Sequence, residues 1–129
     1  MEALLELDKV CFDQFWQFDK RSFSRAKKAT RHNVSRIIKL DGATAAYCLT
    51  GATGKTGYIQ RLGVDPAHRQ RSLATHLIQD SLTWLYHHGC DAAMVNTQLH
   101  NVAAQNLYLK LGFELESEGL VVLKWQKGS

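Results

Sequence analysis

Val64-Asp65-Pro66-Ala67-His68-Arg69-Gln70-Arg71-Ser72-Leu73-Ala74-Thr75 reads as the end of a strand, a basic loop of small residues and the first turn of a helix. Pro66 is the only proline in the chain, and it stands between that strand and a long helical pattern. Leu73, Leu77, Ile78, Leu82 and Leu85 mark one apolar face of the helix. Backbone N–H groups at a helix start have no intrahelical partner, and the macrodipole places partial positive charge there. A diphosphate can collect several such donors where the backbone is approachable. Small side chains at Ser72 and Ala74 permit that approach, and Arg69 and Arg71 add charge. Taken alone the pattern is weak, because basic first turns occur on many helices that hold no ligand.

Working outward, Leu4, Leu5, Leu7, Val10, Cys11 and Phe12 recur at helical spacing, so the chain is expected to open on an amphipathic helix. Phe12, Phe15, Trp16 and Phe18 then cap the core or line a groove, and Ser22 or Ser24 starts a second short helix reaching about Thr30. Arg36 to Leu40, Asp41-Gly42, and Ala43 to Leu49 read as a β-hairpin. A Gly/Thr loop is expected from Thr50 to Thr56, and the next strand from Gly57 to Val64. The long helix ends at His87-His88, with Gly89 as its stop signal. A short strand from Ala92 to Val95 ends at Asn96, and Asn101 caps a further helix that Gly112 terminates. Phe113–Glu116 and Leu120–Trp125 are two closing strands joined at Glu118-Gly119. Such alternation implies one α/β domain, residues 1–129, built around a central sheet.

Bulk properties narrow the functional classes. No apolar run approaches the roughly 20 residues a membrane span needs. Acids in Met1-Glu2-Ala3-Leu4-Leu5-Glu6 stand where a secretory signal carries positive charge, which predicts a cytoplasmic protein. Cys11, Cys48 and Cys90 are widely spaced, and the histidines show no HExxH pattern, so no metal site is expected. A net charge of +4 favours anionic partners. Much of it crowds into Lys20, Arg21, Arg25, Lys27, Lys28, Arg31, His32 and Arg36, a solvated helix face or a binding patch. Gly51-Ala52-Thr53-Gly54-Lys55-Thr56 ends like a phosphate-binding P-loop, but Leu49 occupies the place of its first glycine. Tyr58-Ile59-Gln60 then continues into a strand, where a P-loop opens a helix. The segment is assigned no nucleotide role.

Specificity comes from conjunction. Val64-Asp65-Pro66, then Arg69-x-x-Ser72-x-Ala74, then Asn101-x-x-Ala104-x-x-Leu107-Tyr108-x-x-x-Gly112-Phe113 resembles the GNAT superfamily of N-acetyltransferases. The resemblance runs from about Gly57 to Phe113 and looks most like the ribosomal-protein-alanine and related amino-terminal acetyltransferases. It implies a mixed, mostly antiparallel sheet with helices on both faces and acetyl-coenzyme A as cosubstrate. It also implies an acyltransferase acting on an amine, either a peptide N-terminus or a small molecule; the residues themselves point to no membrane partner and give nucleic acid little support, and monomer or homodimer stays open. The chain starts almost directly on the first helix, so the family's first strand is expected to be missing or trimmed. Ser72 departs from the family's usual glycine, and serine costs backbone freedom if the position needs positive φ.

The resemblance also assigns roles. The backbone of Leu62, Gly63 and Val64 lies along the pantetheine, with one N–H polarising the acetyl carbonyl. The amides of Arg69, Gln70, Arg71, Ser72, Leu73, Ala74 and Thr75 hold the pyrophosphate. Asn101 contacts the pantetheine, caps its helix, or does both. Tyr108 is the catalytic candidate: a coenzyme thiolate with a pKa of roughly 8.5 can take a hydrogen bond or proton from a phenol near 10. The family's general-base glutamate corresponds to Asn96, which cannot take a proton, so water relayed through Gln60, Asn96 or His100 is expected instead. At pH 7 an α-amine is about 10% neutral and a lysine roughly 0.04%, a difference of about 3 kcal/mol that favours a low-pKa acceptor. Two other classes stay open: a noncatalytic coenzyme-binding module, suggested by Asn96 and Ser72, and a nucleic-acid-binding domain using the basic stretch.

Overall fold

The computed structural model describes residues 5, 28, 30–97, 102–115 and 121–126. Strands β1 (His32–Leu40) and β2 (Ala43–Thr53) form the expected hairpin. Its turn holds Asp41 at φ 52° and Gly42 at φ 81°, the left-handed pair that lets two residues reverse twisted strands. β2 does not stop at Leu49. It continues to Thr53, and only Gly54-Lys55 separates it from β3 (Thr56–Val64). The residues expected as a loop from Thr50 are therefore mostly strand, because packing overrides their propensity. Thr50 and Ala52 are buried, and the Thr30 side chain fills the space a Cβ on Gly51 would need.

A six-stranded sheet runs in the order β1-β2-β3-β4-β6-β5, with β4 at Ala92–Thr97, β5 at Glu114–Leu115 and β6 at Val121–Gln126. Every neighbouring pair is antiparallel except β3 and β4. A parallel pair needs a crossover, and helix α1 (Leu73–His87) supplies it. Residues Ala45 to Thr50 are each no more than 1% exposed, so both faces of β2 are covered. On the face of Cys48 and Thr50, Leu77, Ile78 and Leu85 of α1 join Ala46, Ala52 and Ile59 in the core. Leu85 sits where Gly57 would carry a Cβ. Thr30 lies over Gly51 on the opposite face. Of the two N-terminal helices expected from the sequence, only Leu5 (helical, buried), Lys28 (helical, exposed) and Thr30 (a buried bend) are among the described residues. The rest of that segment, the aromatic run and the question of an earlier strand lie outside them.

Both described helices end in the same device. At the end of α1, Gly89 (φ 81°) donates to the Tyr86 carbonyl and Cys90 donates to that of Leu85. After α2 (Val102–Lys110), Gly112 (φ 102°) donates to Leu109 and Phe113 to Tyr108. Each is a Schellman motif, whose 6→1 bond brings a hydrophobic pair together across the helix end. The spacing Tyr108-x-x-x-Gly112-Phe113 thus has a mechanical reason. It locks the two rings edge to face, 5.2 Å apart.

Between β3 and α1 the chain makes a 3₁₀ turn, Pro66–Arg71, where the sequence suggested only a loop. Asp65 starts it, its carboxylate accepting the Ala67 N–H at 2.9 Å. The Asp65 N–H in turn reaches the Ala45 carbonyl at 2.8 Å. Ala45 is the residue that the β1–β2 register skips, so the irregularity in one strand anchors the start of the next turn. Among the described residues, no helix is long and apolar enough to cross a membrane.

Candidate functional site

The β3–β4 ladder pairs Thr56 through Ile59 with Ala92 through Val95 and goes no further. At that point the β2–β3 register also shifts: Thr50 faces Ile59 and Leu49 faces Arg61, leaving Gln60 as an extra, bulged residue. Beyond it, Leu62, Gly63 and Val64 pair with Cys48, Tyr47 and Ala46 of β2, whereas Asn96 and Thr97 pair with Val122 and Val121 of β6. Strands β3 and β4 therefore part after Gln60. A bulge that bends one strand away from its neighbour opens a wedge, and an extended ligand with amide groups can enter it as an added strand. Leu62 and Gly63, predicted to line such a ligand, stand on one wall of that wedge. The bulge itself was missed, although the sequence signals it. Gly57 and Ile59 face α1, and so do Leu62 and Val64 through their pairing with Cys48 and Ala46. That phase slip, across Gln60-Arg61, is what an extra residue produces.

The cradle comes next along the chain. Ser72 ends the 3₁₀ turn and starts α1 at φ 59°, ψ 23°, in the left-handed region. Its side chain caps nothing. The first α-helical bond runs from His76 N–H to the Ser72 carbonyl at 3.1 Å, so the amides of Leu73, Ala74 and Thr75 lie ahead of it without an intrahelical partner. An anion is the group that such donors and the adjoining dipole favour. The conformational demand at position 72 is real, and a serine meets it at a cost. Arg69, Gln70 and Arg71 are in the 3₁₀ turn immediately before this helix start. Asn101 and His100 lie outside the described residues, and Asn96 lies on β4 where the wedge begins.

Tyr108 is buried in α2, in one apolar cluster with Cys48, Leu73, Leu77 and Phe113. Burial pushes its phenol well above the usual range, and the nearby Cys48 adds to the shift. Burial likewise raises the Cys48 thiol, partly offset by hydrogen bonds with Ser81 and Thr50, while Asp80 adds to the rise. A phenol that holds its proton this firmly is neutral at any physiological pH. Proton transfer from it to a group with a pKa of roughly 8.5 would be uphill, whereas a neutral phenol can still donate a hydrogen bond. Of the two sequence-level options for this residue, burial favours that one.

The remaining candidates are scattered over the fold. Of the basic stretch, Arg36 binds Asp80 of α1 through Nε at 3.0 Å, while Lys20 to Lys27 lie outside the described residues. The P-loop-like segment runs from the end of β2 through the Gly54-Lys55 turn into β3, not into a helix. Cys48 and Cys90 are free and buried, and no group of three or more His, Cys, Asp or Glu among the described residues is placed to hold a metal.

A strand that parts from its parallel neighbour at a bulge and leads into an uncapped helix start can take a ligand with an amide-bearing arm and an anionic end. Residues 1–113 match the model of the Acetyltransferase (GNAT) family, and the chain belongs to that family. N-alpha-acetyltransferase 30 of Xenopus laevis is 34% identical over 59 residues, 46% of this chain and 22% of that protein. The chain thus spans about a fifth of that relative's length. The ribosomal-protein-S18-alanine N-acetyltransferase from Escherichia coli superposes with a TM-score of 0.86 at 15% identity, over 99% of this chain and 88% of that one. PaiA N-acetyltransferase from Thermoplasma acidophilum, solved with coenzyme A, gives 0.82 at 11% identity over 97% and 91%. At such identities the superpositions speak for the fold.

Proposed function

We propose that this protein transfers an acetyl group from acetyl-coenzyme A to an amine, with a peptide or protein α-amine as the preferred acceptor. One observation carries the reading: the wedge between β3 and β4 leads, through Val64 and one 3₁₀ turn, into the uncapped start of α1. A ligand with a diphosphate at one end and an amide-bearing arm at the other fits that sequence of surfaces. The coenzyme supplies an acetyl thioester. The acceptor nitrogen bonds to the acetyl carbon, the carbon–sulfur bond breaks, and the ammonium proton leaves to water.

The chain's residues act around that reaction. The amides of Leu73, Ala74 and Thr75 hold the diphosphate, with Arg69, Gln70, Arg71 and Ser72 of the preceding turn beside them, and Asn101 adds a contact to the arm. The backbone of Leu62, Gly63 and Val64 aligns the arm, with an N–H directed at the acetyl oxygen as charge builds there. Tyr108 stabilises the departing sulfur by donating a hydrogen bond. Its elevated pKa supports that role over outright proton transfer. With Asn96 in the place of a carboxylate, deprotonation falls to water, which favours acceptors already partly neutral at pH 7. The likeness to N-alpha-acetyltransferase 30 supports the same choice of acceptor. Buried free thiols at Cys48 and Cys90 support a reducing, cytoplasmic setting, as a monomer or homodimer.

The test is calorimetric titration with acetyl-coenzyme A, then thiol release against N-terminally free peptides, blocked lysine peptides and small amines. Free α-amines should react fastest. Tyr108→Phe should lower kcat about a hundred-fold, the scale of one lost transition-state donor, while leaving coenzyme affinity within about two-fold. An unchanged kcat removes Tyr108 from the mechanism, and selectivity for lysine removes the α-amine assignment.

A further inference from the structure

Two hydroxyls and a thiol meet inside the apolar interface between β2 and α1. Thr50 Oγ1 and Ser81 Oγ are 2.8 Å apart, Cys48 Sγ and Ser81 Oγ 3.3 Å, and Cys48 Sγ and Thr50 Oγ1 3.4 Å. All three residues are no more than 1% exposed. Three groups with one hydrogen each can close a ring in which every member donates once and accepts once. The ring satisfies itself, so it needs neither water nor backbone.

Its position gives it a use. Apart from the Arg36–Asp80 pair, which is half exposed to solvent, the α1–sheet contacts around the ring are aliphatic: Leu77, Ile78 and Leu85 over Ala46, Ala52 and Ile59. Aliphatic contact sets how close the helix lies but resists sliding along the helix axis only weakly. A hydrogen-bonded ring is directional and fixes the axial register. Ser81 lies seven residues after Ala74 in the sequence, about 10 Å along the helix at 1.5 Å per residue. Any slip at Ser81 is therefore carried undiminished to the amides of Leu73, Ala74 and Thr75. Cys48 also faces Leu62 across the β2–β3 ladder, so the ring ties that helix start to the strand proposed to hold the pantetheine.

We infer that Thr50 and Ser81, with Cys48, are positioning residues that set the axial register of α1 and thereby the distance between the diphosphate cradle and the β3 wall. The inference rests on the coenzyme reading above. A polar ring in a core is not needed for stability, since replacing all its hydrogen-bonding members by apolar groups of similar shape can be nearly neutral. Cys48 can remain, because an isolated buried thiol behaves as a small hydrophobe. A displacement of about 1 Å at a reacting or binding group can cost up to a hundred-fold.

The experiment is the Thr50→Val/Ser81→Ala double variant, with thermal unfolding and calorimetric titration by acetyl-coenzyme A. Its melting temperature should stay within a few degrees of wild type while the acetyl-coenzyme A Kd rises about ten-fold. Thr50→Ser, which keeps the hydroxyl, should bind as wild type does. Ile78→Val, which loosens the same interface with the ring intact, should lose stability but keep its affinity. A folded double variant with wild-type affinity overturns the positioning role. A double variant that unfolds overturns it too if Ile78→Val also loses affinity, because binding then follows stability alone. Wild-type protein that fails to bind acetyl-coenzyme A overturns the underlying coenzyme reading, and the inference with it.

Discussion

Replacing Ser72 by glycine should make the protein more stable. Ser72 sits at φ 59°, ψ 23°, where an L-residue pays roughly 1–2 kcal/mol because its Cβ crowds the following carbonyl. Glycine escapes that cost but gives back about 0.5–1 kcal/mol through the greater freedom of its unfolded chain. The hydroxyl makes no capping bond, so nothing else is lost, and the net gain is about 0.5–1 kcal/mol. For a 129-residue chain the unfolding entropy converts this to about 2–4 °C in Tm. Scanning calorimetry of wild type, Ser72→Gly and Ser72→Ala would measure it. Alanine keeps the steric conflict and should match serine. A glycine variant that melts at or below the wild-type temperature would refute the strain, and an alanine variant well below serine would show that the hydroxyl stabilises this conformation. Relief of strain should also leave coenzyme binding equal to wild type or tighter.

Alkaline pH should weaken the fold in a way traceable to single residues. Cys48 and Tyr108 hold their protons more tightly folded than unfolded, so their contribution is intact below the unfolded pKa values of roughly 8.5 and 10 and declines as pH rises past them. Each group should add a slope of about −1.4 kcal/mol per pH unit. Denaturant titrations from about pH 8 to 11 should show it, and Cys48→Ala should flatten the profile by one such increment; identical slopes would contradict the assignment. Gly57→Ala should destabilise by about 2 kcal/mol, since its Cβ would meet the Leu85 side chain and overpacked cores relax poorly. Combining it with Leu85→Ala should cost less than the sum of the two single changes, and strict additivity would count against the contact.

The parts of the fold that were legible in the sequence carry strong local chemistry. Asp41-Gly42 named its hairpin because few other pairs accept two left-handed residues in succession. The leucines from Leu73 to Leu85 named α1, and Gly89 and Gly112 named the helix ends. What escaped was decided by neighbours distant in the chain. Thr50 to Thr53 looks like a loop until Thr30 and α1 are seen to need small residues there. The ring of Cys48, Thr50 and Ser81 joins positions more than thirty residues apart, and nothing local marks them as partners. The same divide runs through the site. The helix start around Ser72 was legible because it is one contiguous segment, whereas the wedge between β3 and β4 depends on a register that only pairing reveals.

Gln60 gives β3 something like a reading frame. Ahead of it the inward-facing residues carry odd numbers, as Gly57 and Ile59 do, and behind it they carry even ones, as Leu62 and Val64 do. Deleting that residue would leave Leu62 and Val64 paired with Cys48 and Ala46 and facing the helix, but it would straighten the strand and remove the bend that opens the wedge. Exposed side chains along this strand, Tyr58 among them, are open to redesign. Its residue count is not.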